Sequence, residues 1–275
     1  MAVLHAGRYS PQTVRNYSLE LRLLFAYFND LDPLAIGPEE ITLYMNYLVS
    51  AQKASRDKCR MAAQSFSFFY KHVLKKPFQL PSKLYPRKEF KLPQILSQQQ
   101  AAHLYKTAQG LKSKAIIGLL YGAGLRLNEL RLLKISHIDS QAMQIKVVQG
   151  KGNKDRFTLL PRFVLEDLRA YYRQYRPQTY LLEGQVKGQP LHARSIQHSL
   201  KLSYQKAKLE GRNFSVHTLR HSFATHLLDQ GTDIHTIKQL LGHTNIETTM
   251  IYLHLQQSKR ALLVSPLDQA LASHE

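Results

Sequence analysis

A single cysteine, no tryptophan, half as many acidic as basic residues and no apolar run of membrane length set the first limits on this 275-residue chain. Cys59 alone cannot form an internal disulfide or a cysteine-based zinc site, which agrees with a reducing compartment, so a cytoplasmic location is expected. No uninterrupted apolar stretch approaches the ~18 residues that cross a bilayer, and the opening MAVLHAGRYS lacks the apolar centre of a secretory signal. No amphipathic segment pairs a Trp or Phe face with a lysine face as a membrane-surface helix does, and tryptophan is absent, so no membrane partner is expected. Repeats of roughly 20–50 residues and low-complexity tracts are also lacking.

Positive charge is what the chain has in excess. Thirty-eight Lys and Arg against nineteen Asp and Glu give a formal +19 and a pI near 9.9. That is more than solubility requires and points to a polyanionic partner, nucleic acid before membrane. A hydrophobic fraction of 44% supports a globular protein, and the length exceeds the roughly 100–200 residues of one domain, so two domains are expected.

Helical signals dominate. Ser10-Pro11 reads as a cap and first-turn proline before Val14, Tyr17, Leu21, Leu24, Phe25 and Phe28 at helical spacing. Gly37-Pro38 opens a second helix with Ile41, Met45 and Leu48 on one face, and SRDKCRMAAQSFSFFYKHVL, 55–74, is a third. Lys53 precedes it, and Arg56, Lys58 and Arg60 sit in its first turns, a candidate DNA-phosphate face. From Pro77 to Pro93 four prolines interleave with Lys and Arg, resisting helix and strand alike. The expected organisation is a helical domain over 1–80, a basic linker over 81–94 whose Lys88 can follow a phosphate backbone, and a second domain over 95–275. Ser97 caps a further helix, and SKAIIGLLYGAGLRLNELRLL reads as two helices joined at Gly122-Ala123-Gly124. MQIKVVQGKGNKDRFTLL is the one clear β signal: Met143, Ile145 and Val147 alternate with Gln144 and Lys146. A Gly/Asn/Asp turn carrying Lys151 and Lys154 reverses the chain, and Phe157 and Leu159 flank Thr158. Helical periodicity then runs from Pro161 to the end. The expected fold class is mainly α with a small β-hairpin.

Unusual polar residues fall at Arg126 after YGAG, Lys151 in the hairpin turn, His217 and Arg220 in VHTLRHSFATHLL, and His243 with Tyr252 in LLGHTNIETTMIYLHL. His217 and Arg220, three apart, share a helical face and can meet one anion, near a helix start where free amides favour phosphate. His217 and His221, four apart, also have zinc-ligand spacing, but a fixed cation lies between them, the H-E-x-x-H glutamate is missing and no cysteine assists. Neither metal nor cofactor is expected.

In their order and spacing, LPQILS, YGAGLRLNEL, GKGNKDR, HTLRHSFATHLLDQG and LLGHTNIETTMIYLH resemble the tyrosine recombinase (phage integrase) family, from about Leu92 to His254. The segment before Leu92 is similar, more loosely, to the family's SAM-like core-binding domain. The resemblance implies a two-domain, C-shaped DNA clamp that acts as a tetramer on two DNA sites built from inverted-repeat half-sites. It implies that Tyr252 attacks a scissile phosphodiester to give a 3′-phosphotyrosine link and a free 5′-hydroxyl, with no metal or ATP. Arg126 and Arg220 would hold the non-bridging oxygens, Lys151 would protonate the leaving 5′-oxygen, His217 would take the tyrosine proton, His243 would bond the phosphate, and Glu129 would orient the cations. The tail beyond Tyr252 would link protomers, and the short chain favours a Xer-like or transposon-type enzyme over a lambda-type integrase. A type IB topoisomerase-like enzyme and a non-catalytic DNA-binding protein are the alternatives.

Overall fold

The computed structural model describes residues 7, 9–79, 92–148, 155–209 and 214–255. The chain divides into two compact units, Met1–Phe90 and Lys91–Glu275.

The first unit is helical. Helix α1, Pro11–Tyr27, begins as its sequence suggests, with Ser10 Oγ accepting the Thr13 amide and proline at the first turn. Helix α2, Pro38–Ser50, is closed by Glu40 reaching back to the Gly37 amide. Helix α3, Arg56–Phe68, is capped by Ser55 and continues as a wider π-helical turn, Phe69–Leu74, which ends where Lys75 turns left-handed. The periodic apolar positions meet in one core of Leu24, Ile41, Met45, Cys59, Ala62 and Phe66, and the Tyr70 hydroxyl donates into it, to the Ile36 carbonyl.

Helix α4 of the second unit, Gln98–Thr107, starts in a reciprocal Ser97–Gln100 cap. Helix α5, Gly110–Gly122, is apolar on nearly every side; Ala115, Ile116, Ile117, Leu119 and Leu120 are all fully buried. A helix of that kind belongs at the centre of a domain. It packs against α4, against α7 (Arg162–Tyr175), against α8 (Ala193–Lys206) and against α9 (Val216–Asp229). Helix α6, Leu127–Arg131, follows the Gly124 turn.

The hairpin is present and gains a strand. Strands β1 (Ile138–Asp139), β2 (Gln144–Val147) and β3 (Arg156–Leu159) form an antiparallel sheet in that order, with Ile145 opposite Thr158 and Val147 opposite Arg156. Alternation sets β2 as expected, yet in β3 the polar positions face in. Thr158 is buried and donates to the Ala123 carbonyl at 2.8 Å, whereas Phe157 and Leu159 are exposed. Between α7 and α8 the expected helical continuity breaks. Arg176 turns left-handed, and the following segment is braced by Glu183, whose carboxylate accepts the amides of Gln178, Thr179 and Tyr180 at 2.7–3.2 Å. Helix α10, Ile234–Leu241, is capped by Asp233 and stopped by Gly242; α11, Glu247–Met250, and a single turn at Leu253–Leu255 follow. Among the described residues no helix is long and apolar enough to cross a membrane.

Candidate active site

The site is built where α6, β3, α9 and the end of α10 meet. A helix leaves its last carbonyls without intrahelical donors, and these carry partial negative charge. At α10 three successive carbonyls are taken by three different guanidinium groups. Arg156 Nε donates to Leu240 at 2.8 Å, Arg220 Nη2 to Leu241, and Arg126 Nη2 to Gly242 at 3.1 Å. Arg220, on α9, is 3% exposed and also donates through Nη1 to the Gly124 carbonyl.

One carboxylate ties the cations together. Glu129 accepts two parallel bonds from Arg156, each 2.8 Å, and one from Arg126 at 2.7 Å, and lies 3.7 Å from Arg220. It also caps α6 by accepting the Arg126 amide at 2.8 Å. Burial pushes its pKa up, but the Arg156 bonds and charge and then the Arg126 amide and charge outweigh it, holding Glu129 near 2. Three fixed positive charges against one negative leave the pocket cationic, as an anion site requires.

Two glycines make this geometry possible. Gly124 and Gly242 both have φ +63°, a conformation that side chains with a Cβ rarely adopt. A Cβ on Gly124 would lie 2.4 Å from the Phe223 ring, and one on Gly242 would lie 2.7 Å from Arg156 Cδ.

The tail segment completes the site. Tyr252 is 1% exposed, and its hydroxyl lies 3.0 Å from His221 Nδ1. The His243 ring stacks at 6.4 Å and 16° on the Tyr252 ring, and its Nδ1 is bonded to the Thr249 hydroxyl at 2.9 Å. His217 is one turn before His221 on α9, with ring centres 6.3 Å apart. Burial raises the Tyr252 pKa to about 12, partly offset by Arg220 and Arg126. Burial lowers His221 to about 4, assisted by His217 and Arg220, and lowers His243 to about 3, assisted by Arg220, Arg126 and Arg156. His217 is lowered in the same way, by burial and then by Arg220 and Arg126. At neutral pH these imidazoles are uncharged.

Residues 94–259 match the phage integrase family, and residues 1–80 match the N-terminal SAM-like domain of phage integrases. The chain belongs to the phage integrase family. It is 36% identical over 264 residues to the putative integrase/recombinase y4qK of Sinorhizobium fredii, covering 93% of this chain and 85% of that one. With the tyrosine recombinase XerC of Anoxybacillus flavithermus the identity is 31%, over 90% and 88% of the two chains. The crystal structure of XerA recombinase superposes with a TM-score of 0.57 at 29% identity over 99% and 95%. The XerH site-specific recombinase bound to its difH substrate shares the fold, with a TM-score of 0.73 at 22% identity over 90% and 77%.

In this integrase-family chain Arg126, Glu129, His217, Arg220, His243 and Tyr252, singled out from sequence, gather around one centre. Lys151, Lys154 and Lys88 lie outside the described residues, as do most of the 81–94 linker and the tail beyond Leu255. The residue that touches the tyrosine hydroxyl is His221 rather than His217, because Nδ1 of the later ring reaches the segment after α11. In sequence Arg156 reads as an ordinary hairpin residue; its two-residue spacing from the inward Thr158 is the signal that places it inside. In the first unit Lys53 and Arg60 are exposed and Arg56 is half-buried. Lys58, expected on the same phosphate face, is bound to the buried Glu20 carboxylate at 2.6 and 2.7 Å. A carboxylate taken out of water needs such a partner.

Proposed function

We propose that this tyrosine recombinase cuts and rejoins DNA strands at specific sites, with Tyr252 as the nucleophile. Its Oη attacks a scissile phosphodiester; the P–Oη bond forms, the bond to the 5′-oxygen breaks, and the strand is held as a 3′-phosphotyrosine with a free 5′-hydroxyl. Attack by another strand's 5′-hydroxyl reverses the step, and because the linkage conserves the ester, no ATP is needed.

The observation that supports this reading is the nearness of Tyr252 to the Arg126–Glu129–Arg156–Arg220 cluster: the charges of Arg220 and Arg126 act on its phenol, and its hydroxyl meets His221, the neighbour of Arg220 on α9. A guanidinium has five N–H donors. Arg126 and Arg220 each direct two groups at the α10 carbonyls, Gly124 or Glu129, leaving donors on each for the non-bridging phosphate oxygens. Fixed cations aimed at a developing pentavalent phosphorane stabilise its charge with no reorganisation during the reaction. Glu129 keeps the arginines in register, His243 donates to the phosphate, and Lys151 protonates the departing 5′-oxygen. Each proton transfer contributes about 10²–10⁴-fold.

Residues 1–80 grip duplex DNA, with Lys53, Arg56 and Arg60 on the phosphates, and the enzyme acts as a tetramer on paired inverted-repeat half-sites. The test uses nicked suicide duplexes carrying candidate inverted-repeat DNA taken from beside the coding sequence. Wild-type protein traps an SDS-resistant adduct; Tyr252→Phe binds the same duplex with unchanged affinity and traps none. Adduct formation by Tyr252→Phe refutes the assignment.

A further inference from the structure

We propose that His221 receives the Tyr252 proton during strand cleavage. The inference rests on Tyr252 being the nucleophile and adds the base that the nucleophile needs. Four observations converge on it.

The first is contact. His221 Nδ1 lies 3.0 Å from Tyr252 Oη, within direct hydrogen-bond reach of the proton to be removed. Among the ring contacts and side-chain hydrogen bonds of the described residues, the Tyr252 side chain meets His221 and His243, and the His217 ring meets that of His221.

The second is the exclusion of the other imidazole in contact. His243 stacks flat on the tyrosine ring and its Nδ1 is bonded to the Thr249 hydroxyl, so it orients the phenol.

The third is the surroundings. The groups facing His221 are His217 and Arg220 from α9, Tyr252 from the segment after α11, and His243 from the segment after α10. Burial first, then His217 and Arg220, disfavour the imidazolium, so the ring is neutral, and in its Nε2–H tautomer Nδ1 carries the lone pair that accepts the phenol proton.

The fourth is timing. With tyrosine near 12 and histidine near 4 the proton stays on the phenol at rest, which keeps an unliganded enzyme from exposing a phenoxide. A phosphodiester in the arginine pocket brings negative charge beside the ring, and that charge grows in the transition state. The imidazolium is then favoured as it forms. The step balances: Oη bonds phosphorus and releases its proton to Nδ1, while the P–O5′ bond breaks and the 5′-oxygen is protonated by the acid. On resealing, His221 returns the proton to Oη.

Two variants and two substrates test this. His221→Asn keeps a hydrogen-bonding atom near the Nδ1 position but cannot accept a proton; His221→Ala removes both functions. Each is assayed on a nicked suicide duplex with an ordinary 5′-oxygen at the cut and on one with a bridging 5′-sulfur, which leaves without protonation. Both variants are expected to form adduct about 10²–10³-fold more slowly than wild type on both substrates, with wild-type DNA affinity. The wild-type rate falls on acidification as a single group takes up a proton, and that limb disappears in His221→Asn. Lys151→Ala, defective on the other side of the bond, is restored by sulfur. A wild-type rate in His221→Asn, or restoration of it by sulfur, overturns the assignment. If wild-type protein yields adducts that Tyr252→Phe abolishes, such a result removes His221 alone; if wild type yields none, the reading of Tyr252 falls with it.

Discussion

Glu129 is the single negative charge that three arginines share, and its loss separates a buried network from an ordinary surface pair. Truncating one partner of a buried ion cluster leaves the remaining charges uncompensated and costs about 3–5 kcal/mol. Glu129→Ala is therefore expected to lower the stability of the second unit by about that much in denaturant titration, while a loss under about 1 kcal/mol contradicts the network. The histidines make a second prediction at this scale. His221 and His243 have folded pKa values near 4 and 3, below the ordinary 6.5. The unfolded chain therefore binds their protons first. Their stabilising contribution is complete above about pH 6.5 and is lost as pH falls toward 4. The unfolding midpoint is expected to drop between pH 7 and pH 5, and less so in His221→Asn; a flat profile contradicts buried neutral rings. Arg126, Arg220 and Tyr252 were legible in the sequence because their flanking residues form extended motifs. His221 was not, since its contact is made across 31 positions and its spacing from His217 invites a metal reading instead.

At the scale of elements, the C-terminus of α10 organises the site, and its glycine stop is as necessary as its charges. Gly242→Ala forces a Cβ into a left-handed backbone and against Arg156, so Arg156 must leave either the Leu240 carbonyl or Glu129. The left-handed conformation alone costs about 1–2 kcal/mol for a residue with a Cβ. The expected outcome is a stability loss of at least that size together with slower adduct formation; an unchanged adduct rate would show that Arg156 does not position the cluster. The helices were legible at this scale because caps and periodicity agree, as at Ser10-Pro11 and Ser97. The inward face of β3 was not, because its apolar residues point to solvent while Thr158 and Arg156 find polar partners inside. Nor was the 176–192 segment, which is held by amides gathered on the Glu183 carboxylate and so leaves no periodic trace.

For the whole molecule, the formal +19 bears on how tightly and how generally DNA is held, apart from the chemistry proposed for the arginine cluster. Binding that neutralises many phosphates releases counterions, so the logarithm of affinity should fall steeply and linearly with the logarithm of salt concentration. Replacing exposed Arg60 and Lys53 should reduce that slope by about one for each phosphate no longer neutralised and leave the cleavage rate of bound DNA unchanged, whereas replacing Lys58, bound to Glu20, should cost stability instead. A slope unaffected by Arg60 and Lys53 contradicts their assignment. The most direct measurement of the central claim is identification of the linked residue. Wild-type protein trapped on a suicide duplex is digested with protease and nuclease, and the nucleotide-bearing peptide is sequenced by mass spectrometry. A 3′-phosphate ester on Tyr252 is expected; an adduct on any other residue, or none on DNA that the protein demonstrably nicks, contradicts Tyr252 as the nucleophile.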